Sequence, residues 1–253
     1  MGDRHGVGAR LAVRRRGMIV ATVLLGFACA LGFRGDASER GGRALDHHLT
    51  VFNGRIVGSA FVIAEGLAVT NAHVVRGLRP GGRLDLVASG PGRARGAGMV
   101  LAISPRMDLA VLSVPGGLAP PVPGEDAPRV AGLAVVAAGI DAGGGRRGLP
   151  RLELAGRVID PANDSTGFGP GLVALLPGVR PGFSGGPMFD RTGRLVGMIA
   201  AIRPARSAAA AMPMAASGFA PKQRRAAAAE EALVLRAGEL RAEAQRLLRS
   251  ARR

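Results

Sequence analysis

Tryptophan and tyrosine are absent from the 253 residues, cysteine occurs once, at Cys29, and lysine once, at Lys222. A single cysteine excludes an intramolecular disulfide, so packing alone must hold the fold. Without Trp or Tyr, stacking on nucleic-acid bases would fall to eight Phe, few of them near basic clusters. That shortage matters because the net charge is +16, and strongly basic chains invite a nucleic-acid reading. The charge is unevenly spread. Residues 1–43 carry 8 basic and 3 acidic side chains, residues 221–253 carry 9 and 4, and the middle keeps 17 against 11. Much of the excess thus sits at the two ends, where it attracts phosphate non-specifically. No specific nucleic-acid partner, metal or cofactor is expected.

What the chain has in quantity is Gly (40) and Pro (17) within a 47% hydrophobic composition, a mixture that suits short strands and turns. Arg14, Arg15 and Arg16 precede an uncharged stretch from Gly17 to Phe33. This reads as an export signal, placing the rest of the chain outside the cytoplasm, in a periplasmic or other extracytoplasmic space. Cleavage after Ala28-Cys29-Ala30 would release the protein, whereas retention would tether it to the inner membrane. A lipid on Cys29 is a third option, although Gly26 stands where lipoprotein signals usually carry Leu. From Leu49 to about Ala220, apolar runs such as GLAVTNAHVV, DLAVLSV and RLVGMIAAI recur every ten to fifteen residues. Their Val, Ile and Leu content and their length favour strands, and the spacing indicates a barrel or sandwich. Residues 115–128 (PGGLAPPVPGEDAP) read as a linker, because Pro and Gly interrupt ladders. Beyond Pro221 the Ala, Leu, Glu and Arg content predicts a helix packed on the domain body, followed by a basic tail. The chain therefore divides into a lead-in (1–43), a domain (44–220, with halves 49–114 and 129–220) and a C-terminal helix and tail (221–253).

Ser184 lies in Arg180-Pro-Gly-Phe-Ser-Gly-Gly-Pro187. A serine among glycines can stand exposed on a tight turn, with backbone N–H groups converging nearby as acyl transfer requires. The G-x-S-x-G pattern also fits the α/β-hydrolase elbow, whose histidine comes after the serine. Here all four histidines (His5, His47, His48, His73) precede it, which removes that fold. His5 belongs to the signal region, and His47 and His48 lie in a polar stretch that reads as a solvated lead-in. His73 closes the apolar run Gly66-Leu-Ala-Val-Thr-Asn-Ala-His73. Asp108 heads another, Asp108-Leu-Ala-Val-Leu112, where a carboxylate is costly unless hydrogen-bonded. An imidazole N–H would be a natural partner.

Gly58-Ser-Ala-Phe-Val-Ile63, Thr70-Asn-Ala-His-Val-Val75, Asp108-Leu-Ala-Val-Leu112 and Pro181-Gly-Phe-Ser-Gly-Gly-Pro187 together resemble the signature blocks of trypsin-like serine peptidases. They are most similar to the disulfide-free bacterial Deg-type branch. Arg194–Ile199 and Ser217–Ala220 resemble that branch's last strands. The resemblance implies an all-β fold of two packed six-stranded antiparallel barrels, with the active site in the cleft between them. It implies a serine endopeptidase acting on polypeptide substrates, with His73, Asp108 and Ser184 as its triad and the N–H groups of Gly182 and Ser184 as its oxyanion hole.

Phe183 departs from the family, which usually has Asn or Asp before the nucleophile, so the oxyanion turn must be braced differently. A catalytically silent binding or scaffold protein is the rival reading, and Phe183 is its one support. No peptide-binding regulatory domain is expected in the residues after Ala220. Arg55-Ile-Val-Gly58 imitates an activation site but reads as an ordinary strand. Aligned by motif, Gly178 would form the base of the primary pocket, with Ala200, Ala201 and Ile202 along its wall. Such a pocket is uncharged and narrow, and it favours small aliphatic residues before the scissile bond.

Overall fold

The computed structural model describes residues 44–143, 149–164, 167–204 and 230–251. The apolar runs become twelve strands in two closed antiparallel barrels. The first contains β1 (His48–Phe52), β2 (Val57–Ala64), β3 (Leu67–Thr70), β4 (Arg83–Ala88), β5 (Arg95–Ile103) and β6 (Ala110–Ser113). Its circular order is β1-β2-β3-β6-β5-β4. The second contains β7 (Ala134–Ile140), β8 (Arg151–Asn163), β9 (Gly171–Leu175), β10 (Pro187–Asp190), β11 (Leu195–Pro204) and β12 (Glu230–Arg236), in the order β10-β11-β12-β9-β8-β7. Closure leaves no open sheet edge, which suits a chain that has no disulfide to protect one.

Period-two alternation sets which side chains fill each barrel. In β4, Leu84, Leu86 and Ala88 are buried while Arg83 and Asp85 are exposed. Leu49, Val51, Leu86, Val100 and Leu112 fill the first barrel, and Val135, Leu176, Phe183, Met188 and Ile199 fill the second. A third cluster, including Phe61, Leu109, Phe189, Met198 and Leu240, joins the barrels and the C-terminal helix. The Pro-rich linker crosses between the barrels and is packed down on the way: Leu118 and Ala119 join the first core, and Ala127 N–H donates to Leu195 C=O.

Two sequence expectations change here. The segment read as helical from 221 onward contains a strand, because Glu230–Arg236 pairs with both β11 and β9. The second barrel therefore ends at Arg236 rather than at residue 220. Good helix formers yield to pairing because this segment fills the last gap in the barrel, burying Ala232, Leu233, Val234 and Leu235. The helix itself, α1, is Ala237–Ala251, with Leu240, Ala244 and Leu247 turned inward. The second change is His48. Far from being solvated, it opens β1 and is fully buried. Ser217–Ala220, the basic stretch at Lys222 and the lead-in with Gly17–Phe33 and Cys29 lie outside the described residues.

Candidate active site

His73 sits on the one-turn 3-10 helix Ala72–Val75 that comes after β3. Asp108 lies just before β6, and its N–H donates to Phe168 C=O of the second barrel. The Asp108 carboxylate holds His73 at two points. One oxygen accepts the His73 backbone N–H at 2.9 Å, and the other meets Nδ1 at 2.7 Å. A carboxylate can only accept, so Nδ1 carries a proton, and in the neutral ring this leaves the lone pair on Nε2. The pair is only partly buried, with His73 31% and Asp108 11% exposed. Asn71 Nδ2 donates to Asp108 C=O at 2.8 Å and steadies the carboxylate's backbone.

Ser184 belongs to the turn between β9 and β10 in the second barrel. Four successive carbonyls of this turn are tied down. Pro181 C=O accepts from Ala142 N–H, Phe183 C=O from Gly186 N–H, and Ser184 C=O from Ser59 N–H. Gly182 C=O accepts the Ser59 hydroxyl at 2.6 Å. In a planar trans peptide the C=O and N–H point opposite ways. Fixing the Pro181 and Phe183 carbonyls therefore aims the N–H groups of Gly182 and Ser184 away from those bonds. Neither N–H has an acceptor among the described residues, which is what a developing oxyanion needs. Gly182 holds φ +106° and Gly185 +87°, values that L side chains resist. A Cβ on Gly185 would also run into the Ser59 carbonyl. Phe183 braces the turn from the other side. Its ring is fully buried in the second core, lying over Gly139 so closely that a Cβ there would overlap it. Burial of such a ring stabilises by roughly 2–3 kcal/mol.

His73, Asp108 and Ser184 line one cleft of about 660 Å³, and Ala200 and Ala201 form part of its wall. Among the described residues no hydrogen bond joins His73 Nε2 to the Ser184 hydroxyl, and such pairs commonly tighten only in complexes with substrate. The expected specificity pocket divides. Ala200 and Ala201 face this cleft, but Ile202 packs against the second core and Gly178 lies in a tight turn beside Arg180, neither lining it. Ile56, Met107 and Phe168 line it instead. They lie in or next to turns, where no hydrophobic periodicity marks a residue's facing.

The profile of the trypsin-like peptidase domain family matches residues 58–198. The chain belongs to this family. Within it, serine protease Rv3671c of Mycobacterium tuberculosis H37Rv is 31% identical over 145 residues, covering 56% of this chain and 35% of that protein. This trypsin-like chain thus matches about a third of its relative's length. Among solved structures, the Rv3671c protease in its inactive form superposes with TM-score 0.54 at 24% identity, covering 81% of this chain and 90% of that one. The HtrA-type protease AlgW with a tripeptide superposes with TM-score 0.62 at 18% identity, covering 83% and 61%. Both likenesses show a shared fold.

Proposed function

We propose that this chain is a serine endopeptidase that cleaves polypeptides through an acyl-enzyme at Ser184. The observation that carries this reading is the pairing across one cleft of a two-point His73–Asp108 lock with a turn whose Gly182 and Ser184 N–H groups have no acceptor among the described residues. The Ser184 oxygen attacks the scissile carbonyl carbon while His73 Nε2 takes its proton. The carbonyl oxygen becomes an oxyanion held by the two N–H groups. Collapse breaks the C–N bond, and His73 returns the proton to the leaving amine. Water then attacks the acyl ester by the same route and restores the Ser184 hydroxyl. Asp108 keeps the imidazole in the useful tautomer and stabilises its cationic form.

A fluorophosphonate probe tests this. Ser184 should take the label, and Ser184→Ala and His73→Ala should both lose it; a parent chain that stays unlabelled would refute the reading. Substrates with a small, uncharged residue before the scissile bond fit best, since Ala200 and Ala201 line the cleft and Asp108, the one carboxylate among its described lining residues, is engaged by His73. Peptides varying only that residue check it, and dominant cleavage after Arg or Phe would count against it. The Arg14–Arg16 cluster before an uncharged stretch supports export, with the segment acting as a cleaved signal or an inner-membrane tether. No helix among the described residues is long and apolar enough to cross a membrane. A reporter active only outside the cytoplasm, fused after residue 45, should be active.

A further inference from the structure

Ser59 stands in β2 of the first barrel, fully buried, and clasps the nucleophile turn of the second barrel with both of its donors. Its N–H donates to Ser184 C=O at 2.9 Å, and its hydroxyl donates to Gly182 C=O at 2.6 Å. Behind it lies His48, also fully buried, with Nε2 at 2.8 Å from the Ser59 hydroxyl and Nδ1 at 2.6 Å from the Ser89 hydroxyl. Arg151 Nε donates to the same Ser89 oxygen at 3.0 Å.

Valence decides the bond directions. A carbonyl only accepts, so the Ser59 proton is committed to Gly182, and Ser59 must receive a proton from His48 Nε2. With its proton on Nε2, a neutral imidazole has a bare Nδ1, which accepts from Ser89. The Ser89 oxygen then accepts from Arg151. Every donor and acceptor in this row fits a single arrangement: neutral His48 in its Nε2–H tautomer.

We propose that Ser59, oriented by His48, is the positioning residue that sets the oxyanion hole of this enzyme, replacing the polar side chain that position 183 lacks. The Phe183 side chain can hold the turn by packing but can neither donate to nor accept from its peptides. Among the described residues, the bond from Ser59 to Gly182 C=O is the one tie on the four carbonyls of 181–184 that comes from a side chain. Without it the buried carbonyl of the Gly182–Phe183 peptide goes unpaired, a loss that favours rotation of this peptide; it links the two peptides that carry the Gly182 and Ser184 N–H groups, and a glycine at φ +106° offers little steric resistance. The imidazole keeps one protonation state through the ordinary pH range, because burial, and then the nearby Arg151 charge, push its pKa down to about 3. The row therefore acts as a fixed brace rather than a switch.

The inference rests on the peptidase reading, and the test separates the two. Full-length Ser59→Ala, Ser89→Ala, His48→Gln and His48→Leu are compared with the parent for kcat and KM on a peptide, rate of fluorophosphonate labelling and thermal midpoint. Ser59→Ala should lower kcat and labelling roughly ten- to hundredfold with KM nearly unchanged, less than the 10²–10³ typical of deleting an oxyanion donor outright. His48→Gln, whose amide can donate towards Ser59 and accept from Ser89, should keep most activity, while His48→Leu should fall with Ser59→Ala. Parent-like kcat and labelling in Ser59→Ala overturn the proposal, as does equal loss in the Gln and Leu variants. Should Ser59→Ala fail to fold, the half-buried Ser89→Ala decides. A fall in kcat at constant KM supports the brace, and an unchanged kcat overturns it. A parent that takes no label overturns the peptidase reading and this proposal with it.

Discussion

Asp108 spends one oxygen on the His73 backbone and the other on its ring, and Asp108→Asn separates these tasks. The amide keeps an oxygen for the backbone N–H but turns an NH₂ towards Nδ1. That forces the ring proton onto Nε2, where the base should be. Turnover should fall by about 10⁴-fold with little change in thermal midpoint, as kinetics and calorimetry on one preparation would show. Phe183→Ala should behave differently. It empties a ring-sized space in the second core and should cost about 3–5 kcal/mol of stability, read by denaturant unfolding, together with activity. That His73, Asp108 and Ser184 line one cleft was suggested in the sequence because each sits in a local pattern: histidine at a strand end, aspartate heading an apolar run, serine among glycines. The burial of His48 was not. Its partners are contributed by residues 59, 89 and 151, and nothing within the stretch around it shows that a histidine there will be dry.

Among the elements, α1 ties the end of the chain to the cleft. Glu243, almost buried, accepts the Ser104 hydroxyl, whose oxygen in turn takes the Arg106 and Met107 N–H groups just ahead of Asp108. Hydrogen bonds from Arg246 hold the Glu243 carboxyl below its ordinary 4.5; burial opposes this, and the Ser104 bond adds to it. A depressed carboxyl stabilises the fold fully above its unfolded pKa and loses that contribution as pH falls through the folded value. Glu243→Gln should therefore lower the thermal midpoint at pH 7 by about 2–4 °C for each kcal/mol lost. The gap from the parent should narrow as pH drops below about 4.5. An equal gap at pH 7 and pH 3 would exclude this role. Most strands were readable from alternation and turn residues. β12 was not, because Glu230–Arg236 is made of helix formers and becomes a strand only through ladders with β9 and β11, which composition does not reveal.

At the scale of the whole molecule, neither barrel holds the site alone. In the proposed mechanism the first supplies His73, Asp108 and the Ser59 clasp, and the second supplies Ser184 and its turn, the two being joined through hydrogen bonds of Ser59 and Asp108. The two-barrel architecture was visible only through the ordered run of motifs, since periodicity by itself left sandwich and barrel equivalent. Closure by β12 also has a consequence in time. The first barrel is complete in sequence by Ser113, but the second waits for Glu230–Arg236, well after Ser184. A chain leaving the ribosome or a translocation channel thus carries its nucleophile while the surrounding barrel still has two unpaired edges. Pairings so distant along the chain raise contact order and slow folding. Hydrolytic competence should accordingly be the last property acquired, in a burst of cooperative closure, so that the nascent chain passes through synthesis as an inert polypeptide.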